Sequence, residues 1–206
     1  MFTTITAVRN ETFKNLQLNS GAVLVNFDYS TITDMAALKT AIAEALKSYD
    51  TTVGATRGGC TFSAVPKMRQ IEADGKRYEF VGSEVIDKWD VKLTGTLIEI
   101  VPGNIGRVLA TGEATENEGK TITTIKTRTA LKDTDYIESV TWVGDTSKGA
   151  MMITLYNALN TSGATLTIND KGEGTLPFEF TAHQSDVEQT EYAPYEIVYL
   201  HPAQSS

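Results

Sequence analysis

The stretch VGATRGGCTFSAVP, residues 53–66, gathers the residue types most suggestive of chemistry. Gly54 and Gly59 stand five apart, as in the phosphate-binding pattern GxxxxGK[ST], and Thr61 fills the Ser/Thr position. Such a cradle needs a lysine for the outer phosphates. It must also leave a strand and open a helix, so that backbone N–H groups face the anion. Here Cys60 replaces the lysine, and Arg57 does not restore it. Upstream, residues 34–49 read as a helix; downstream, TFSAV is β-branched and aromatic and reads as a strand ending at Pro66. The glycines are therefore expected to make a flexible turn, not a nucleotide site.

Other reactive groups are sparse. Cys60 is the single cysteine, and His183 and His201 are the two histidines. Neither histidine has a partner at zinc-ligand spacing, and nothing in the sequence brings Cys60 to His183 as nucleophile and base. Carboxylates cluster at Glu113, Glu116 and Glu118, at Asp133, Asp135 and Glu138, and at Asp186, Glu188 and Glu191. None of these follows a calcium-loop pattern, and solvated loop charge accounts for them. No active site, cofactor or metal is expected, and the chain reads as a non-enzyme whose surfaces do its work.

The 206 residues carry a net charge of −8. An acidic surface repels phosphates, which argues against a nucleic-acid reader. No apolar run reaches membrane-spanning length. The first residues, MFTTITAVRNETFKN, lack the pattern of a secretory signal, so synthesis in the cytoplasm is expected.

The elements around these residues are mostly strands. In TDMAALKTAIAEALKSYD the residues Met35, Leu38, Ile42, Ala45, Leu46 and Tyr49 share one helical face, with Thr33 as the expected N-cap. GAVLVNF, KRYEFVG, DKWDVKLTGTLIEIV, TITTIKTRT, YIESVTWVG, MMITLYNAL, ATLTIND, GTLPFEFTAH and YEIVYL read as strands joined by short turns. This predicts a mainly β fold: an antiparallel β-sandwich or barrel with one flanking amphipathic helix. Residues 1–20 read as an N-terminal arm and 21–202 as one β-domain, with helix 34–49 and loop 50–62. Residues 203–206 form a short tail, and 110–120 an exposed polar loop.

Four segments together resemble the major tail protein, or tail tube protein, of long-tailed bacteriophages with non-contractile tails. They are LQLNSGAVLVNFD (16–28), GATRGGCTFSAVPKMRQIEADGKRYEFVGSEVIDKW (54–89), SVTWVGDTSKG (139–149) and ALNTSGATLTINDKGEGTLPFEFTAH (158–183). The resemblance implies a structural protein of the virion tail, made in the host bacterium. It implies hexameric rings stacked into a tube that passes the genome, with only transient, non-sticky contact with phage DNA. It implies contacts with the tape measure, distal tail and tail terminator proteins.

Edge-to-edge pairing of strands would let rings close, and part of the acidic charge would face the channel. The loop 50–62, with the two residues before it, is expected to touch a neighbouring copy through Gly54, Arg57, Gly58 and Gly59. Phe2, Ile5 and Phe13 of the arm are the second set of expected contacts. The same residues also permit a tube subunit of a contractile tail or bacteriocin, or a soluble carbohydrate- or receptor-binding β-sandwich.

Overall fold

The computed structural model describes residues 16–17, 19–186 and 191–201. Phe2, Ile5 and Phe13, most of the N-terminal arm and residues 203–206 lie outside the described residues, as does Glu188. Among the described residues the chain forms nine strands and two helices. In order they are β1 (Ala22–Val25), α1 (Met35–Ala45), β2 (Thr56–Gln70), β3 (Glu84–Leu97), α2 (Pro102–Val108), β4 (Gly112–Glu116), β5 (Thr123–Thr127), β6 (Ile137–Thr146), β7 (Gly149–Asn160), β8 (Leu176–Thr181) and β9 (Tyr195–Leu200).

Every strand pairing is antiparallel. One sheet runs β1-β6-β7-β9 and the other β2-β3-β8, and β7 belongs to both. Its first part pairs with β6 and β9, while Leu159 and Asn160 pair with Thr181 and Phe180 of β8. Asn157, at φ 46°, lies close to that changeover. Asparagine tolerates this left-handed backbone better than most residues, and its amide donates to the carbonyl of His183 at 3.1 Å.

The first sheet is covered on both faces. Val23, Val25, Val140, Trp142, Ile153 and Leu155 pack into a cluster with Val91, Leu93, Phe178 and Phe180 of the opposite sheet. Leu24, Val143, Ala150 and Met152 point the other way, against Leu38, Ala41 and Ile42 of α1. The alternation of strand side chains therefore feeds two cores at once. That is why GAVLVNF and MMITLYNAL are mostly apolar and lack a strict polar alternation. Thr141 and Thr154 are buried among these residues and share a hydroxyl hydrogen bond of 3.0 Å, so neither is left unsatisfied.

Helix α1 is shorter than the periodicity suggests. Asp34, not Thr33, caps it: its Oδ1 accepts from the N–H groups of Ala36 and Ala37, each at 2.8 Å. The helix stops at Ala45, whose carbonyl accepts the Thr51 hydroxyl. Leu46 and Tyr49 consequently leave the buried face and are exposed.

Four other expectations are corrected. KRYEFVG is the connection between β2 and β3, not a strand. The polar stretch 110–120 contains β4, which pairs with β5 as a small separate hairpin. ATLTIND keeps only an isolated bridge, Thr167 to Thr175. Helix α2, hidden in the sequence by Gly103 and Gly106, starts on Pro102.

Two ion networks tie the periphery down. Arg128 bridges Glu113, at 2.6 Å from Nε, and Asp135, whose second oxygen accepts from the Lys132 N–H. Lys92 on β3 pairs with Glu179 on β8 at 2.8 Å. The Lys132 N–H and Arg128 hold the Asp135 carboxyl below its ordinary range, and Lys92 does the same for Glu179. A carboxyl with a depressed folded-state pKa stabilises the fold above that range, and the contribution is lost as pH falls through it. The urea midpoint, followed by tryptophan fluorescence, is therefore expected to drop as pH is lowered past about 4. Asp135→Asn should flatten that dependence.

Candidate assembly interface

The loop expected at 50–62 is a strand from Thr56 onward. Gly58 and Gly59, at φ 79° and 76°, form a bulge in β2 between the pairs Thr56–Leu97 and Cys60–Gly95. An added Cβ at either would meet nothing within 4 Å, so backbone shape, not crowding, requires glycine there. Gly54 sits just before the strand, where a Cβ would collide with Glu99 at 2.8 Å. Arg57 is ion-paired with Glu173. No helix opens after these glycines, so the phosphate-cradle geometry is not formed.

The reactive groups do not converge. Cys60 lies half-buried against Gly95, and burial pushes its thiol upward, away from the thiolate a nucleophile needs. The His183 ring packs edge-on against Tyr136 and contacts the carbonyl of Asn157 at 3.1 Å. Among the described residues, no group of three His, Cys, Asp or Glu side chains is placed to hold a metal ion. Nor is any helix there long and apolar enough to cross a membrane.

A different feature dominates the surface. β2 and β3 run on beyond the opposite sheet as a hairpin arm, residues 66–89. Register places Phe62, Ala64, Pro66 and Met68 of β2 on one face, opposite Leu93, Val91, Trp89 and Ile86 of β3, with Asp87 as an extra residue. That face starts in the core, where Val91 and Leu93 are each 1% exposed. It then emerges into solvent, with Trp89 37%, Ile86 49% and Met68 57% exposed. Pro66 is tolerated because β2 is an edge strand that pairs with β3 alone.

The tip of the arm is a built turn. Lys76 folds inward to the Ile71 carbonyl, the Glu79 carboxylate and the Ser83 hydroxyl, at 3.1–3.3 Å. Gly82, at φ 87°, helps turn the chain back. Tyr78, Phe80 and Val81 are left facing water. Large apolar side chains concentrated on one projecting element mark an interaction surface. Arm residues 66–89 also carry five basic and five acidic side chains, so the net charge of −8 resides in the rest of the chain.

The two main sheets end on β1 and β9 in one and on β2 in the other. The outer side of β1 is covered by residues 51–53, through Val25 N–H to the Thr51 carbonyl at 2.9 Å and Val53 N–H to the Val23 carbonyl at 3.2 Å. Among the described residues, β9 and β2 have no such cover. On β9, Ile197 and Tyr199 are exposed on the same face as Tyr195, whose ring packs on Phe62 and Trp89 with centroids 5.4 and 6.4 Å away.

Beside β9 lies a cleft of about 870 Å³, with Tyr156, Tyr192 and Tyr195 in its lining and Glu138, Glu191 and Glu196 among them. The hydroxyls of Tyr29 and Tyr156 both reach Glu196 at 2.8 Å. Burial and these hydrogen bonds raise the Tyr156 hydroxyl far above its usual range, so it remains a donor.

The arm residues Met68, Tyr78, Phe80, Val81, Ile86 and Trp89 were not among the expected contacts. The available signal was an apolar alternation through PKM and VIDKW, longer than one core needs. No protein-family model matches the chain, and no curated protein matches it.

Proposed function

We propose that this chain is a structural subunit that self-assembles into stacked rings, forming the tail tube of a phage with a long non-contractile tail, through which DNA passes. The observation that supports it is the projecting arm, whose apolar face is continuous with the core and, past Trp89, exposed at Ile86 and Met68 among the described residues. Free edges on β2 and β9 add a second means of joining copies, because an unpaired edge is a template for another strand. The contact is heterologous, so it closes into a ring when the rotation completes a circle. Each ring of six would carry six times the acidic charge of one chain, and with part of that charge facing the channel DNA would slide along the wall without sticking.

The test is microscopy of the concentrated protein with light scattering. Stacked rings with a central hole are the expected result; a monomer at every concentration would overturn the reading.

The tyrosine- and carboxylate-lined cleft favours a second reading, a carbohydrate-binding β-sandwich. It requires saturable glycan binding by the monomer, measurable by calorimetry and abolished by Tyr192→Ala.

A further inference from the structure

We propose that the tip of the arm docks into the tyrosine-lined cleft of a second copy of this chain. The inference rests on the self-assembly reading above, and its test separates the two.

The tip is a preformed knob. The inward hydrogen bonds of Lys76 fix the turn that presents Tyr78, Phe80 and Val81 to solvent. Arg77, exposed beside them, has no ion pair among the described residues. Aromatic residues and arginine are the types that carry most binding energy when they enter a pocket.

The cleft complements the knob. Tyr156, Tyr192 and Tyr195 supply apolar, aromatic wall, and its volume of about 870 Å³ accommodates aromatic side chains. Glu196 is occupied by the hydroxyls of Tyr29 and Tyr156. Glu138 and Glu191 are exposed, with no ion pair among the described residues, and can receive a cation. A bidentate pairing of Arg77 with either carboxylate would fix the orientation of the knob.

The occupant is another copy and not the same chain. Trp89, at the base of the arm, already lies near Tyr195 of its own cleft. From Trp89 to Glu84 the strand rises about 3.4 Å per residue, carrying the tip roughly 17 Å away. Knob and cleft are different surfaces, so their joining repeats head to tail, as a ring or stack requires.

The test uses the full chain carrying Cys60→Ser. Chains with Phe80→Cys are mixed with chains with Tyr192→Cys and mildly oxidised. Disulfide-linked heterodimers are expected, and are not expected when Tyr192→Cys is replaced by Lys39→Cys on the exposed side of α1. Separately, Arg77→Glu should weaken association at least tenfold, and adding Glu191→Arg to the same chain should restore it. These positions are exposed, and near-ultraviolet circular dichroism checks that each variant is folded. Tubes that form undiminished with Arg77→Glu, without the cross-link, overturn the inference and leave the self-assembly reading intact. An unmodified chain that stays monomeric throughout overturns that reading, and this inference with it.

Discussion

Joining Lys67 directly to Lys88 through an Asn-Gly turn is expected to leave a folded subunit that no longer assembles. The two lysines are cross-strand partners, so a two-residue turn can close the shortened hairpin without changing the register behind it. The deletion removes Met68, Tyr78, Phe80, Val81 and Ile86, all exposed, so the sandwich loses little of its own packing. If four of these side chains each contribute about 1 kcal/mol on burial by a neighbour, association falls roughly a thousandfold. Light scattering and sedimentation measure the association, and thermal unfolding checks the fold. A shortened chain that still builds tubes would remove the arm from the interface.

The second large effect is on stability. Trp142 sits in a slot that only glycines permit. A Cβ at Gly144 would lie 2.3 Å from its ring, and one at Gly21 would lie 2.6 Å from it. The indole N–H donates to the Ser20 carbonyl at 2.8 Å, which fixes the chain as it enters β1. Trp142→Ala is expected to cost about 3–5 kcal/mol. Gly144→Ala should destabilise as well, because a new methyl group would displace the same ring. Urea unfolding of each variant measures the loss. A cost under about 1 kcal/mol for Trp142→Ala would mean that the slot collapses instead of staying open.

Much of the fold was legible because patterning and burial agree. The strands β6, β7, β8 and β9 announce themselves as β-branched and aromatic runs, and α1 by the spacing of Met35, Leu38 and Ile42. The Gly58-Gly59 pair misled, since a bulge inside a strand and a turn between elements ask for the same residues. Tyr78 and Phe80 alternate as strand residues do, yet they occupy a turn fixed by the side chain of Lys76. The candidate site was the least legible part. Trp89 and Val91 share one face of one strand, and only the place where the opposite sheet ends makes the first exposed and the second buried. No local pattern encodes that boundary. Gly54 precedes β2 and Arg57, Gly58 and Gly59 lie at its near end, whereas the large exposed side chains lie at its far end.

The sharing of β7 between both sheets has a mechanical consequence. Tension applied at the arm enters β2 and β3, passes sideways to β8, and reaches β7 and then β6 through successive backbone ladders. Along β2 and β3, opposed pulling along the strand axis makes many hydrogen bonds resist together, instead of opening one after another like a zip. The narrowest link in that route is the two-residue pairing of Leu159 and Asn160 with β8. In the proposed tube, strain from bending would first yield there, letting the two layers of each subunit slip while the strands within each layer stay joined.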